Sequence, residues 1–387
     1  MVNQIYLDNA ATTKVDISVV ETMKKYFLKS YGNPSSLHAI GQDAKKEIDS
    51  ARKKIAKFIG AKESEIIFTG GGTESNNLAI YGLALAYPTK KHIISSVIEH
   101  PSVLETCKTL ENEGYIVDYV GVDKGGVVSV DEISNLIRDD TLLVSVMHVN
   151  NEIGTIQPIE KIGKICREKK VYFHTDAVQS FKKLEIDVSQ INIDLMSVSG
   201  HKIFGPKGVG FLYVREGVNL KPIIHGGGQE KNLRSGTLNV PGILGLATAL
   251  DIKIDNENIE KVRNKMIEEL LKISGTKING SLTDRVCNNI NVSFYGIEGE
   301  SLMLMLSDFG IYVSTGSACS STKLSESHVL KALGVEDLYV HGSLRISFGE
   351  ILKEEELIYV VEKIKKSVNK LREMSPFKLN LEEITDE

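Results

Sequence analysis

The sequence predicts an α/β protein, with a large domain built on a mainly parallel sheet and a smaller α+β domain after it. Three observations lead to this prediction. Short β-rich runs alternate with helical patterns through the first two thirds of the chain. Several of these runs are almost continuously apolar, as expected for strands that are covered on both faces. From about residue 242 the alternation gives way to a different order of helices and strands.

Seven runs are the strand candidates of the large domain. They are EIIFTG (65–70), HIISSV (92–97), YIVDYV (115–120), LLVSVMHV (142–149), VYFHTDA (171–177), DLMSVSG (194–200) and GVGFLYV (208–214). Helical patterns lie between them, for example at 41–60 and 159–170. This alternation indicates parallel strands joined by helical crossovers. Ligands of such a sheet bind beyond the carboxyl ends of its strands, so we expect the functional residues there.

The last third of the chain has the elements of the smaller domain. Residues 242–272 are compatible with one long helix or with two. The segments that follow are a strand (289–296), an amphipathic helix (299–310), a short β-rich run (311–315), a strand (343–349) and a charged final helix. The acidic tail 375–387 is predicted to be partly disordered. We assign residues 15–255 to the large domain, and 1–14 together with 256–387 to the small one.

The composition is that of an ordinary globular protein. Of the 387 residues, 42% are hydrophobic and 25% are charged, and the net charge of −5 argues against a basic nucleic-acid-binding surface. No apolar stretch approaches the roughly 20 residues that cross a bilayer. The N-terminus has no cationic region followed by an apolar one, so it does not resemble a signal peptide. We therefore expect a cytoplasmic protein that binds neither nucleic acid nor membrane.

The four cysteines differ in their surroundings. They form no C-x-x-C pair, which argues against a structural zinc site, and they are too few for a disulfide framework. Cys107, Cys166 and Cys287 lie in apolar or helix-forming runs, whereas Cys319 lies in STGSACSSTKL, among small polar residues. An exposed thiol is normally avoided because it is reactive. Cys319 is therefore either incidental or part of the chemistry of the protein.

A glycine-rich turn follows the first strand candidate of the large domain. The segment FTGGGTESNNLAI (68–80) leads from this strand through three glycines into a helix. Gly71, Gly72 and Thr73 can form a phosphate cradle, because glycines let backbone N–H groups approach an anion and a helix N-terminus attracts negative charge. The pattern matches neither a dinucleotide fingerprint nor a Walker A loop. A tight strand-to-helix turn without a ligand is the alternative.

Lys202 and Asp176 each lie where a strand candidate ends. Lys202 belongs to SVSGHKIFGPKGVGF (197–211), where desolvation can lower its pKa and free the amine to form a Schiff base. The alternative is an ordinary solvated lysine. Asp176, with His174 and Gln179 nearby, can hold the protonated pyridine nitrogen of pyridoxal phosphate. His174 and Asp176 can instead be read as two metal ligands, although no third ligand follows at a fixed spacing.

Three further residues suit the same kind of site. His100 follows a strand candidate and can stack on an aromatic cofactor, and Asn151 can donate to a ring hydroxyl. Arg345 lies in a strand-like run bounded by glycines, where it suits bidentate binding of a carboxylate. Taken singly, the first two are more often loop or cap residues, and the arginine is more often part of a surface ion pair.

The ordered set of motifs resembles the cysteine desulfurases of the NifS/IscS type, which are pyridoxal-phosphate enzymes of the aminotransferase class V superfamily. The motifs span nearly the whole chain. They are YLDNAATT (6–13), GNPSS (32–36), GGTESNN (71–77), EHPSV (99–103), HVNNEIG (148–154), HTDAVQ (174–179), SGHKIFGPKG (199–208), RSGT (234–237), GSACSS (316–321) and LRISFG (344–349). The resemblance implies the fold type I of these transferases, with a seven-stranded sheet in the large domain.

The resemblance also implies roles for the residues singled out above. Lys202 matches the lysine that binds the cofactor covalently, and Asp176 the partner of the pyridine nitrogen. The other residues that match cofactor contacts are Gly72, Thr73, Ser199 and His201 at the phosphate, Asn151 and Gln179 near the ring hydroxyl, and His100 as the stacking and acid–base histidine. Thr237 matches a phosphate contact donated by the other subunit, which implies a homodimer. Arg345 matches the residue that binds the substrate carboxylate, with Asn33 and Asn151 nearby, and no metal is implied.

Cys319 matches the nucleophile of these enzymes. The resemblance implies that L-cysteine is converted to L-alanine, that a persulfide forms on Cys319, and that a mobile loop at about 314–328 carries it to an acceptor. Such an acceptor is an iron–sulfur scaffold or a sulfurtransferase that serves tRNA or cofactor thiolation. The loop fits the group with a long cysteine loop rather than the Suf-type group. The C-terminal tail is shorter than is usual in the IscS branch, which leaves the identity of the acceptor open.

Two rival functions are compatible with parts of this pattern. One is a selenocysteine lyase or another class V enzyme, such as a small-substrate aminotransferase. A transaminase has no use for a loop thiol, so Cys319 argues against it. The other is a catalytically silent scaffold subunit, and the presence of Lys202, Asp176 and Cys319 argues against that.

Overall fold

A computed structural model describes residues 4–315 and 326–377. Cys319, with most of its predicted loop, lies outside the described residues, and so do residues 378–387 of the tail that was predicted to be partly disordered. Within these two ranges no helix is long and apolar enough to span a membrane.

Ten of the twelve strands in the described residues match predicted β-rich runs, whereas the short strands β1 and β9 were not predicted. Their bounds are β1 (Ile5–Tyr6), β2 (Ile66–Thr69), β3 (His92–Ser96), β4 (Ile116–Val120), β5 (Thr141–Ser145), β6 (Tyr172–Asp176), β7 (Leu195–Ser199), β8 (Gly210–Val214), β9 (Thr276–Ile278), β10 (Asn289–Phe294), β11 (Ile311–Tyr312) and β12 (Ser343–Ser347). Strands β2 to β8 form a seven-stranded sheet in the order β2-β8-β7-β6-β5-β3-β4. Strand β8 runs antiparallel to both of its neighbours, and the other pairs are parallel. The predicted mainly parallel sheet is thus confirmed.

The helices lie between the strands and after them. Their bounds are α1 (Ile17–Leu28), α2 (Ala39–Phe58), α3 (Gly72–Ala86), α4 (Pro101–Asn112), α5 (Val130–Leu136), α6 (Ile159–Glu168), α7 (Val240–Ala249), α8 (Asn256–Leu271), α9 (Gly299–Asp308), α10 (His328–Ala332), α11 (Asp337–Val340) and α12 (Glu354–Met374). Single turns of 3₁₀ helix occur at Glu63–Glu65, Gly200–Lys202 and Glu230–Asn232.

Residues 242–272, which the sequence left undecided, form two helices rather than one. Helix α7 ends at Ala249, and α8 begins at Asn256. The side chain of Asp255 accepts a hydrogen bond from the backbone N–H of Asn258 at 3.1 Å and so caps the start of α8. This cap satisfies a backbone donor at a helix start and gives the second helix its own N-terminus.

Both faces of the large sheet are covered by helices. Successive strand residues point to opposite faces, so Phe68 and Ile67 belong to two different apolar clusters. The Phe68 cluster includes side chains of α2, α6 and α7, and the Ile67 cluster includes side chains of α3 and α4. Burial on both faces explains why the strand runs read as continuously apolar.

A second, antiparallel sheet lies in the last third of the chain. Its strand order is β12-β10-β9, and its apolar cluster includes side chains of α8, α9 and α12. The N-terminal strand β1 pairs in parallel with β11, and Ile5 and Leu7 belong to the same cluster. The division into a large domain at 15–255 and a small domain formed by 1–14 and 256–387 stays a prediction.

Candidate active site

Ten of the residues predicted for the site line one cavity of about 240 Å³. They are Gly72, Thr73, His100, Asn151, Asp176, Gln179, Ser199, His201, Lys202 and Arg345. Most of them follow the carboxyl ends of strands: β6 ends at Asp176, β7 ends at Ser199, and α3 begins at Gly72 beyond the end of β2. The topology of the sheet therefore brings together residues that are far apart in the sequence.

The glycine turn before α3 is shaped for a close ligand. A Cβ atom on Gly72 would lie 2.8 Å from Cγ2 of Val178, closer than side-chain carbons pack, and Gly71 has a φ of +147°, which favours glycine. The first N–H groups of α3 have no partners within the helix and lie at its positive end. The turn therefore has the features of an anion site.

Lys202 is held by the N-terminal segment. Its Nζ donates hydrogen bonds to the carbonyl oxygens of Ala10 and Ala11, both at 2.6 Å. The carbonyl of Ala10 also accepts from Nε2 of Gln179 at 2.9 Å. The backbone N–H of Thr13 donates to the carbonyl of His201 at 2.9 Å. These contacts fix the lysine in a turn that faces the cavity.

Asp176 is buried in a network of donors. Its Oδ2 accepts from Nδ2 of Asn76 at 2.7 Å, and its Oδ1 accepts from the backbone N–H of Val178 at 2.9 Å. Nδ2 of Asn76 also donates to Oγ of Ser102 at 2.8 Å. An ionised carboxylate has further acceptor positions, so Asp176 can take one more donor from a ligand in the cavity.

His100 caps helix α4 and lines the cavity. Its Nδ1 accepts the backbone N–H of Ser102 at 3.1 Å and lies 2.8 Å from Oγ of that serine. Because Nδ1 is an acceptor, the neutral ring carries its proton on Nε2. Burial lowers the pKa of His100, and the nearby Asp176 opposes this change. Burial also lowers the pKa of His201, to about 4, so both rings are neutral at pH 7.

Arg345 is an almost completely buried cation in the lining of the cavity. It is 2% exposed. Its Nη1 donates to the carbonyl of Asn151 at 3.1 Å, and its Nη2 donates to Oδ1 of Asp8 at 2.9 Å. Its Nε has no hydrogen-bond partner among the described residues. A buried donor without a partner is costly, so a ligand acceptor would stabilise this arginine.

Two of the predicted site residues do not line the cavity, and a third lies outside the part of the chain that the structure describes. Asn33 and Thr237 are exposed and line no part of it. Cys319 lies outside the described residues, so its position relative to the cavity stays a prediction. His174 is buried, with its ring nitrogens 2.8 Å and 3.0 Å from Oγ of Ser145 and Ser197. Within the described ranges, no group of three His, Cys, Asp or Glu side chains is arranged to hold a metal.

Several residues that shape the cavity were not predicted from the sequence. Ala10 and Ala11 contribute backbone carbonyls, which leave no signal in residue type. Asn76 could have been found, because it follows Thr73 by three residues and so lies on the same face of α3. Ser102 had a weaker signal, its position at the start of a helix next to His100.

The cavity suits pyridoxal phosphate by the donors and acceptors that line it. Oδ1 of Asn76 and Nε of Arg345 are buried without partners in the described part of the chain, which points to a polar ligand. The start of α3 at Gly72 suits a phosphate group. Asp176 suits a protonated pyridine nitrogen, and Lys202 is an amine in the same cavity.

Comparisons with known proteins identify the family. The model of the aminotransferase class-V family matches residues 5–360. A cysteine desulfurase IscS of Methanosarcina thermophila is 53% identical over 96% of this chain and 94% of its own length. A cysteine desulfurase IscS of Dictyoglomus turgidum is 48% identical over 98% of each chain.

Solved structures agree with this result. A NifS-like protein that is 42% identical superposes with a TM-score of 0.90 over 95% of this chain and all of its own. The structure of SspA in complex with cysteine is 41% identical, with a TM-score of 0.82 over 89% of this chain and 99% of the other. The chain therefore belongs to the aminotransferase class-V family, in its NifS/IscS-type branch.

Proposed function

We propose that this protein is a cysteine desulfurase, which converts L-cysteine to L-alanine and passes the sulfur on through a persulfide. The observation that carries the proposal is the meeting of Lys202, Asp176 and Arg345 in one cavity. An amine, an acid for a pyridine nitrogen and a carboxylate-binding cation are what a pyridoxal-phosphate enzyme needs for an amino acid substrate. The similar structure of SspA in complex with cysteine supports cysteine as that substrate.

The enzyme uses pyridoxal phosphate, as enzymes of this family do. When bound, this cofactor supplies an electron sink that stabilises negative charge on the α-carbon of an amino acid. We assign the phosphate to the start of α3, with Gly72, Thr73, Ser199 and His201 around it. Asp176 holds the proton of the pyridine nitrogen. The assignment agrees with the hydrogen bonds that already fix this carboxylate.

Arg345 binds the carboxylate of the substrate. Its Nε is a buried donor without a partner among the described residues, and a carboxylate would satisfy it. The same guanidinium donates a hydrogen bond to the backbone carbonyl of Asn151. Because Asn151 is assigned to the cofactor, the substrate site and the cofactor site are adjacent. Asn33 is assigned to the substrate as well, although it is exposed and outside the cavity lining in the described chain.

Lys202 and His100 move the protons. Nζ of Lys202 lies in the cavity, held by two carbonyl oxygens, so it is placed to take a proton from the α-carbon of the substrate. His100 is neutral at pH 7 because burial lowers its pKa, and it carries its proton on Nε2. It can therefore donate a proton at Nε2 and take it back.

Cys319 takes the sulfur. Its thiolate attacks the substrate sulfur, so that a sulfur–sulfur bond forms while the carbon–sulfur bond of the substrate breaks, and the carbon is protonated to give alanine. The three other cysteines are buried and form no disulfide. Burial raises the pKa of both Cys107 and Cys166 to about 12, which keeps their thiols protonated. A nucleophilic role therefore falls to Cys319.

The persulfide needs an acceptor, and the site needs a partner subunit. We infer a homodimer in which Thr237 contributes to the phosphate site of the partner, because Thr237 is exposed and absent from the cavity of its own chain. The sulfur acceptor is a scaffold for iron–sulfur clusters or a sulfurtransferase. A cytoplasmic location agrees with the free thiols.

The proposal can be tested on the purified protein loaded with pyridoxal phosphate. With L-cysteine and a reductant, the wild type should form alanine and sulfide in equal amounts. Lys202→Ala should lose the covalently bound, coloured cofactor. Cys319→Ser should still change its absorption spectrum with L-cysteine yet form no sulfide. Cys166→Ala is the matched control and should keep the activity, and full activity of Cys319→Ser would contradict the proposal.

A further inference from the structure

Lys183 contacts Gln179 and has no role assigned to it in the reaction. Its Nζ donates to the backbone carbonyl of Gln179 at 2.8 Å and lies 3.4 Å from Oε1 of the same residue. Gln179 is buried and lines the cavity, whereas Lys183 does not line it. The two hydrogen bonds of this ammonium thus both go to one residue of the site.

The position is an unusual one for a lysine. No carboxylate of the described residues lies within ion-pair distance of its Nζ. Burial lowers the pKa of Lys183 to about 8, and the nearby Cys287 opposes this change. A partly buried ammonium without a counter-ion costs stability, which its two hydrogen bonds offset only in part. Such a lysine is a candidate for a role in the site, once geometry supports that role.

Two contacts of Gln179 determine the orientation of its side-chain amide. Its Oε1 faces the ammonium of Lys183, and its Nε2 donates to the carbonyl oxygen of Ala10 at 2.9 Å. If the amide were turned over, its NH₂ group would face another donor and its oxygen would face another acceptor. Both contacts therefore specify the same orientation. Because the oxygen is turned towards Lys183 and one N–H of Nε2 is donated to Ala10, the second N–H of Nε2 is the group that the amide can offer to a ligand in the cavity.

We propose that Lys183 is a positioning residue that fixes the Gln179 amide, so that this amide selects a ligand with an oxygen acceptor on its ring. The inference rests on the proposed function, which puts pyridoxal phosphate in the cavity. The ring hydroxyl of the cofactor is the acceptor that the amide would select. Without Lys183, Ala10 alone specifies the orientation, and the preference for that oxygen weakens.

The neighbouring Lys182 is a matched control. Its Nζ donates to the carbonyl oxygens of Ala249 and Ile252, both at 2.6 Å, and makes no contact with Gln179. Burial lowers the pKa of Lys182 to about 8 as well. The two lysines thus share residue type, similar burial and backbone acceptors. They differ in whether they contact the amide of Gln179.

The test measures binding of two ligands to full-length protein stripped of cofactor. The ligands are pyridoxal phosphate and its analogue without the ring hydroxyl. Wild type should prefer pyridoxal phosphate. Lys183→Met should bind pyridoxal phosphate about five- to tenfold more weakly than the wild type does. Its affinity for the analogue should be unchanged. Lys183→Arg, which keeps a cationic donor, should restore most of the preference, and Lys182→Met should change neither affinity.

Other outcomes separate the two proposals. If Lys183→Met lowers the affinity for both ligands equally, or for neither, then Lys183 has only a structural role and the inference is wrong. If the wild type binds pyridoxal phosphate without preference, the assignment of Gln179 is wrong, and the inference fails with it. If the wild type does not bind pyridoxal phosphate at all, the proposed function itself fails. Lys183→Gln serves for the same comparison if the methionine variant does not fold.

Discussion

At the scale of single residues, Glu99 is a buried carboxyl group that keeps its proton near neutral pH. Glu99 directly precedes His100 and is completely buried. Its Oε1 accepts from Oγ of Ser96 at 2.6 Å and from the backbone N–H of Met147 at 2.9 Å. Burial raises the pKa of Glu99 to about 8, and the charge of Asp176 acts in the same direction. Glu99 is therefore protonated at pH 7 in the folded protein.

This proton makes stability depend on pH. Between about pH 4.5 and pH 8 the folded state binds the proton and the unfolded chain releases it, so the free energy of unfolding falls as the pH rises. Glu99→Gln removes the titrating group. We expect the variant to be more stable than the wild type by about 4–5 kcal/mol at pH 9, with little difference at pH 5. Urea unfolding of the cofactor-free protein at several pH values measures this.

The control for this prediction is Glu105→Gln in helix α4, which begins two residues after Glu99. Glu105 is exposed and forms a surface ion pair with Lys108, which contributes little to stability. Its replacement should leave the pH dependence of unfolding as it is. Parallel pH profiles for Glu99→Gln and the wild type would show that Glu99 is ionised in the folded protein, contrary to the structure.

At the scale of elements, the start of helix α3 determines how the phosphate binds. A Cβ on Gly72 would lie 2.8 Å from Cγ2 of Val178, so Gly72→Ala must push the turn or Val178 out of place. We expect this variant to bind pyridoxal phosphate about tenfold more weakly than the wild type, because the first N–H groups of the helix are displaced from the anion. Fluorescence titration of cofactor-free protein measures this affinity.

Gly121→Ala is the matched control for the glycine turn. A Cβ on Gly121 would meet nothing within 4 Å, and its backbone does not need a positive φ. It should bind the cofactor as the wild type does. Equal affinity of Gly72→Ala and Gly121→Ala would mean that this turn does not bind the phosphate.

The elements were predictable from sequence where burial alone determines them. Strands such as β5 and β8 are covered on both faces, and such strands leave long apolar runs that need no tertiary information to recognise. The sequence could not distinguish one helix from two at 242–272. Residues 250–255 contain no glycine or proline that would mark a helix end, and helix-forming residues lie on both sides of them. Asp255 was the available signal, since an aspartate before a helical pattern is a common N-cap.

Residues of the site could be predicted from the sequence where their role depends on the functional group of the side chain. Asp176 and Lys202 were predicted because charged side chains follow strand candidates there, and Arg345 because it lies in a strand-like run bounded by glycines. The carbonyls of Ala10 and Ala11 were not predictable, because every residue type has a carbonyl and the fold alone brings these two to Lys202. The same holds for the contact between Lys183 and Gln179, which depends on how one turn is packed.

At the scale of the whole molecule, the proposed homodimer predicts the mass of the protein in solution and the effect of Thr237→Ala on cofactor binding. The chain has a mass of 42.6 kDa, so light scattering should give twice this value. Thr237 is exposed in its own chain, and Thr237→Ala should weaken cofactor binding without dissociating the dimer, because it removes a single hydrogen-bonding group. A monomer that binds the cofactor with full affinity would contradict a shared phosphate site.

The central claim is that sulfur from L-cysteine is transferred to one particular thiol. The most direct test is a single turnover of the holoenzyme with L-cysteine, followed by alkylation and mass spectrometry of every cysteine peptide. We predict one alanine per active site and one added sulfur atom, found on Cys319 and absent from the buried Cys107, Cys166 and Cys287. Alanine without a persulfide, or a persulfide on one of the three buried thiols, would contradict the account.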